Sequence, residues 1–359
     1  MKAQRLTVSM VLCALLLLTA QPIFAAESML LGVYYGNQGW KMDQVQAMES
    51  WQGKRHAVVN MFTNWNSTSK TISNVFSQQL PNIWNNGNVP LVTWEPTTGA
   101  STLPDIEVRI ARGEYDTYIN TWASQMKTFL SGPDGVFGSE DDRRAYLRLA
   151  HEMNGDWYPW GSTLGNNSPA DYVAMWRHVK AIFASKGITS THLQWMWCVN
   201  HDDVGTGVAE QFFPGNDHVD WVAIDGYNWG TSQTWSSWKS PANTYDPMIT
   251  RLRAISSKPL AITEFASTSS GNGVSGKSQW ISDAFSYFVS KNVKMVVWFN
   301  EDKETDWGVF GGVNGDGTFK YGRTSYKTYA SYKSAVNAHT IAPDKSNPRL
   351  LTDAQFAGP

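Results

Sequence analysis

The stretch Leu149-Ala-His-Glu-Met-Asn-Gly-Asp-Trp-Tyr-Pro-Trp160 ends an apolar run and passes at once into aromatic and hydrogen-bonding residues. A second stretch, Ala261-Ile-Thr-Glu-Phe-Ala-Ser267, also sets one glutamate near the end of a strand-like run. Six further apolar, β-branched or aromatic runs lie around these two, giving 30–35, 57–63, 89–94, 145–151, 192–200, 219–227, 260–265 and 293–300. Helical patterns fill most gaps, at 42–51, 116–130, 169–185, 247–256, 277–290 and 325–336. Within 169–185, Tyr172, Met175, Trp176, Val179 and Phe183 recur at i, i+3, i+4, i+7 spacing. Ser168 reads as the N-cap, Pro169 as the first helical residue and Gly187 as the stop. Strands alternating with helices over about three hundred residues predict an α/β chain with a single (β/α)₈ TIM barrel.

Such barrels build their sites at the C-terminal ends of the strands. The residues just past the runs are Gly36-Asn37, Asn64-Trp65, Glu95-Pro96, Glu152 to Asn154, Asn200-His201, Asn228-Trp229, Glu264 and Glu301. Carboxylates, amides and aromatics are concentrated there beyond what a purely structural barrel needs. Glu152 ends the fourth strand and Glu264 the seventh, so only barrel closure brings them together. Two carboxyls so placed suit cleavage of a glycosidic bond, one protonating the leaving oxygen and the other attacking the anomeric carbon. The acid must stay protonated near neutral pH, and an aromatic wall of Trp157, Tyr158 and Trp160 beside the charge of Glu264 would raise its pKa.

His151 and Asn154 flank Glu152 as supporting residues, with Asn154 expected to reach a sugar hydroxyl or orient a carboxylate. Tyr227 ends the sixth strand, where its phenol would hold Glu264 ionised. Asp225 is a rival third acid or a buried structural carboxylate. Trp298 is expected under the reacting sugar or in the barrel core. Glu95 and Asn200 are expected to bind sugar hydroxyls. The 18 tryptophans suit a carbohydrate groove, because flat aromatic faces stack on sugar rings. Trp65, Trp94, Trp157, Trp160, Trp229, Trp235 and Trp238 are the stacking candidates, some of them packing residues. The segment 229–245 is long enough to shape a subsite.

Residues 1–26 read as a secretory signal, with Lys2 and Arg5 before an apolar stretch at 8–19 and small residues at Ala25 and Ala26. Residues 27–340 form the expected catalytic domain, and 341–359 a tail that wraps the barrel or is loose. The expected product is extracellular or periplasmic, a monomer, with no membrane contact after signal removal. The net charge of −2 without a basic block argues against nucleic acid. With Cys13 in the leader, Cys198 is the one cysteine left, so no internal disulfide forms, and a buried inert thiol is expected there. His151-Glu152 does not continue as H-E-x-x-H, so no zinc site and no cofactor is expected. The acidic loop with Asp134, Glu140, Asp141 and Asp142 is a weak calcium candidate, a plain turn being the alternative.

On these residues the chain resembles glycoside hydrolase family 26, above all in His151-Glu-Met-Asn-Gly-Asp-Trp-Tyr-Pro-Trp160 and Ile262-Thr-Glu-Phe265. The resemblance implies a retaining barrel enzyme with Glu152 as acid/base and Glu264 as nucleophile. It implies His151 and Tyr227 as supporting residues and Trp298 near the cleavage point. It implies an endo-β-1,4-mannanase first, with an endo-β-1,3-1,4-glucanase or a β-1,3-xylanase as alternatives. Many of the family's mannanases carry a histidine motif after the third strand, where this chain has Trp94-Glu95-Pro96, a departure that looks like the glucanase branch. A sugar-binding barrel without activity and an enzyme acting at chain ends are the remaining alternatives.

Overall fold

The computed structural model describes residues 29–66, 69–99 and 102–359, so the expected leader lies outside it. Eight parallel strands form where the apolar runs predict them: β1 (Met29–Tyr34), β2 (Val58–Asn64), β3 (Val89–Glu95), β4 (Ala145–Leu149), β5 (Leu193–Asn200), β6 (Trp221–Asn228), β7 (Leu260–Ser267) and β8 (Val293–Phe299). Neighbours in sequence pair in order, and β8 returns to β1 with Val33 opposite Trp298 and Tyr34 opposite Phe299. The sheet is thereby closed into a (β/α)₈ barrel, which leaves no free edge and fixes which strand ends face one another.

The helices follow the periodicity in most places. Asp116–Leu130 and Pro169–Ser185 occur as predicted, and Ser168 caps the second with a reciprocal bond to Asp171. The helix expected at 247–256 begins at Pro241, because Ser240 supplies a cap to the Asn243 N–H and Pro241 suits the first turn. The helix expected at 325–336 is half wrong. Thr324–Thr328 is a strand, paired antiparallel with Gly317–Tyr321, and the helix runs Ala330–His339. Alternating Thr324, Tyr326 and Thr328 after the Gly322 turn favours the hairpin over a helical period.

One irregularity positions the site. Along β6 and β7, Ile224 pairs with Ile262 but Asp225 pairs with Glu264, so β7 carries one extra residue at Thr263. The register against β8 shifts over the same residues. A bulge of this kind breaks the alternation of side chains. Thr263 therefore bonds Asp225 inside the barrel while Glu264, its immediate neighbour, also points into the mouth.

The tail packs rather than hanging loose. Leu351 and Phe356 are buried, the Phe356 ring lies 4.7 Å from Tyr146, and the Tyr146 hydroxyl donates to the Phe356 carbonyl at 3.0 Å. Arg144, just before β4, donates to the Leu351 carbonyl at 2.8 Å. The segment thus covers the end of the barrel opposite the strand-end glutamates. Phe356→Ala is expected to destabilise the fold by about 3 kcal/mol, the usual cost of truncating a buried aromatic. The lowered midpoint of a urea unfolding curve at unchanged slope checks this.

Candidate active site

The chain leaves β4 through two left-handed residues, Ala150 at φ +45° and Glu152 at φ +53°. Neither is glycine, so this conformation costs energy and the neighbouring strands must hold it. They do so through the Ala150 N–H on the Trp94 carbonyl at 3.1 Å and the Glu152 N–H on the Cys198 carbonyl at 2.9 Å. The turn aims the Glu152 carboxyl into the mouth, where Trp157 Nε1 donates to it at 2.8 Å.

Beneath the mouth lies Arg148, a fully buried guanidinium on β4. It donates to Glu264 Oε1, to Asp225 Oδ2 at 2.5 Å and to the Thr93 hydroxyl at 2.7 and 2.9 Å. Tyr227 donates its hydroxyl to Glu264 Oε2 at 2.5 Å. Both oxygens of Glu264 are therefore held by donors from other strands. His151 lies 3.9 Å from Glu264 and 3.2 Å from the Tyr158 hydroxyl. Burial and the Arg148 charge push its pKa well below the usual range, so the ring is neutral.

The carboxyls differ in state. Burial first, then the negative charges of Asp225 and Glu264, pushes Glu152 well above the ordinary carboxyl range. Burial also raises Glu95 to about 7, with the Arg148 charge opposing it. Asp225 is likewise raised to about 7 by burial against the pull of Arg148. Glu264 instead meets the Arg148 guanidinium on one oxygen and the Tyr227 hydroxyl on the other.

A cavity of about 960 Å³ opens over these groups. Glu152, Glu264, Tyr227, Glu95, Asn200, Trp157, Trp229 and Trp235 all line it, as the strand-end reading expects. Trp235 is the most exposed tryptophan described, at 71%. Its ring is 5.3 Å from Trp229, which is 4.8 Å from Trp307, itself 5.0 Å from Tyr227. These rings run continuously from the partner of Glu264 to solvent.

Other expected site residues are corrected. Trp94 and Trp298 occupy strand positions that face the helices, not the barrel mouth. Trp94 stacks 4.5 Å from Trp122, and Trp298 lies 5.5 Å from Tyr332. Both are fully buried, so neither presents a face to a sugar, and it is Trp307 that stands beside Tyr227. Trp65 packs against Trp94 at 4.8 Å. Trp160 is buried under Tyr158 at 4.2 Å and donates to the His151 carbonyl at 2.7 Å, so it supports the loop. Trp238 packs on the core without lining the cavity. Asn154 reaches neither glutamate. It donates to Asn200 O at 3.0 Å and to Asp203 Oδ1 at 2.9 Å, and accepts from Asn200 N at 2.8 Å, which staples the loops after β4 and β5.

Sequence reasoning missed Arg148, Trp307 and the lining by Phe62, while Tyr158 of the expected aromatic wall does line the cavity. A charge in the apolar run Tyr146-Leu-Arg-Leu149 was the available signal for the first. Among the described residues, the carboxylates of the acidic loop form no convergent set of three and bond within the protein. Asp142 accepts from Gly138 N at 2.7 Å and lies 2.8 Å from His192, while Asp141 takes the Ser139 hydroxyl and Asp134 caps Val136 N. Among the described residues, the one convergent set of three possible metal ligands is His151, Asp225 and Glu264, within 4.8 Å of one another. Arg148 already supplies the positive charge between its two carboxylates.

Fold and site together define a (β/α)₈ barrel whose mouth holds two unlike carboxyls in an aromatic-lined cleft. The chain belongs to glycosyl hydrolase family 26, whose profile matches residues 18–267. It is 33% identical over 319 residues to Endoglucanase H of Acetivibrio thermocellus, covering 87% of this chain and 31% of that protein. It is 25% identical over 158 residues to a mannan endo-1,4-beta-mannosidase of Bacillus subtilis, covering 41% of this chain and 42% of that one. The chain spans about a third to under a half of the length of the curated relatives it matches. Among solved structures, the catalytic domain of a Bacillus sp. JAMB-750 endo-beta-1,4-mannanase superposes with a TM-score of 0.60 at 14% identity, over 89% of this chain and 88% of that one. The Bacillus subtilis mannanase man26 gives 0.58 at 18% identity, over 88% and 87%.

Two outcomes follow from the electrostatics. Arg148→Met leaves two buried carboxylates without their cation and is expected to cost about 3–5 kcal/mol of stability. Chemical denaturation checks it, and adding Asp225→Asn should recover part of the loss. Trp157→Phe removes a donor that favours the charged form of Glu152, so the pKa of that carboxyl rises. If Glu152 must be protonated to act, the alkaline limb of the pH–rate profile moves to higher pH.

Proposed function

We propose that this protein is an endo-acting β-glycanase working by double displacement, with Glu152 as acid/base and Glu264 as nucleophile. The observation that carries this reading is the opposite condition of two carboxyls in one cleft. Glu152 is buried against Trp157, which pushes its pKa well above the ordinary carboxyl range, whereas Glu264 is held through both oxygens by Arg148 and Tyr227. Glu152 gives its proton to the leaving glycosidic oxygen as Glu264 attacks the anomeric carbon. Glu152, now ionised, takes a proton from water, which releases the sugar from Glu264 with its configuration retained. Neutral His151 keeps the space beside Glu264 free of a second cation, and no step requires a cofactor. The leader at 1–26 would carry the enzyme out of the cytoplasm to meet its polymer.

For the substrate, a β-glucan with mixed 1,3 and 1,4 linkages is the leading choice, ahead of the mannan that family frequency favours. A relative that matches 87% of this chain at 33% identity is named an endoglucanase. The mannosidase relatives match at 23–25% over less than half of the chain. Glu95 adds a hydrogen-bonding carboxyl to the cleft where many of the family's mannanases carry a histidine motif. Mannose and glucose differ in one hydroxyl, and one or two buried polar contacts suffice to discriminate them.

Release of reducing ends from barley β-glucan, galactomannan, β-1,3-xylan and laminarin, measured side by side, tests the assignment. The expected order puts β-glucan first. Activity confined to galactomannan would establish the mannanase instead, and none on any glycan would leave a sugar-binding barrel. Glu264→Ala should lower the rate by about 10⁴-fold or more. Proton NMR of the first product should show the β-anomer, and an initial α-anomer would exclude double displacement.

A further inference from the structure

We propose that the cleft continues past Glu301 into a second recess, between the loops that follow β1 and β8, and that this recess binds a distal sugar residue of the same neutral glycan. The proposal rests on the β-glycanase reading above and adds to it a place and a chemistry for substrate far from the cleaved bond.

The recess measures about 400 Å³ and shares Gly36 and Glu301 with the catalytic cavity, so the two are adjoining parts of one surface. Gly36 forms the boundary. Its φ is +77°, and a Cβ added there would stand 3.1 Å from the Glu301 carboxyl carbon. The absence of a side chain lets the loops after β1 and β8 come together at this boundary without a clash on Glu301. Beyond it, Tyr326 stacks on Phe310 with ring centres 4.5 Å apart and planes at 18°. The Tyr35 hydroxyl ties down the same segment through the Phe310 carbonyl at 3.1 Å. A fixed aromatic surface of this kind suits the C–H face of a pyranose.

The polar groups narrow the ligand class. No lysine or arginine is among the residues lining the recess, which disfavours phosphate, sulfate or a uronic acid. Asp302 is committed to the backbone, accepting from Gly308 N and Val313 N at 2.7 Å each, so it shapes the glycine-rich turn. Asn37 and Asn300 are likewise tied to backbone groups, and Glu301 is shared with the Tyr34 hydroxyl of the cleft, so Glu301, Gln44 and Tyr326 are the polar lining left for a ligand. One carboxylate is too few for calcium, which takes roughly six to eight oxygen ligands. Acceptors and an amide beside an aromatic face match the hydroxyls of an uncharged sugar.

Gln44 is half-buried on the surface helix Asp43–Gln52 and lines the recess without lining the cleft. Gln44→Phe fills the recess, and Gln44→Ala removes the amide while leaving the space. The measurement is kcat/KM on mixed-linkage oligosaccharides of increasing length and on barley β-glucan (manno-oligosaccharides and galactomannan if those are what the wild type cleaves). The ratio of polymer to shortest cleaved oligosaccharide is expected to fall by about tenfold in Gln44→Phe and less in Gln44→Ala, carried mainly by KM. An unchanged ratio in both variants, with the wild type active, overturns the recess as a subsite and leaves the glycanase reading standing. A wild type that cleaves no glycan overturns both.

Discussion

The mouth of this barrel depends on a single buried cation. Asp225, Glu264, Glu152 and Glu95 crowd into a region that burial deprives of water, and Arg148 is the guanidinium set among them. Its planar fork reaches Asp225 and Glu264 with different nitrogens, which a lysine ammonium would not do. That division leaves the protons to be shared unequally. Glu264 takes donors from Arg148 and Tyr227 on both oxygens, while burial pushes the pKa of Glu152, set against Trp157, upward. The chemistry proposed for the cleft needs this asymmetry rather than two equivalent acids.

Two departures from regular backbone make the arrangement possible. The left-handed residues after β4 turn Glu152 back over the barrel, at a conformational cost met by bonds to β3 and β5. The extra residue in β7 allows Thr263 and Glu264 to point the same way, so one bonds Asp225 and the other faces the cleft. Strict alternation would have sent one of them toward the helices. Both irregularities aim a glutamate into the mouth, and a further register shift against β8 lies at the start of β7.

Strand order, barrel closure and the two strand-end glutamates were legible because they rest on local signals: apolar runs of strand length, capped helices between them, and polar residues just past each run. Trp94 and Trp298 show where such signals stop. Each sits near a strand end beside a residue that lines the cleft, Glu95 or Phe299, and each faces outward because side chains alternate and its neighbour has taken the inward direction. The hairpin that replaced the start of the 325–336 helix failed for a related reason, since a short mixed segment carries both periods and packing decides between them.

The sequence by itself determined that eight strands alternate with helices and that glutamates close the fourth and the seventh. Those features follow from periodicity and from residue types read along the chain. Tertiary structure alone decided which carboxyl is buried against a tryptophan and which is paired with a cation, which tryptophans meet solvent, and that the tail closes the far end. Each of these depends on what stands opposite a residue across the barrel. Desolvation, charge compensation and side-chain direction arise between segments a hundred or more residues apart, such as Arg148 and Glu264, and no local pattern records them.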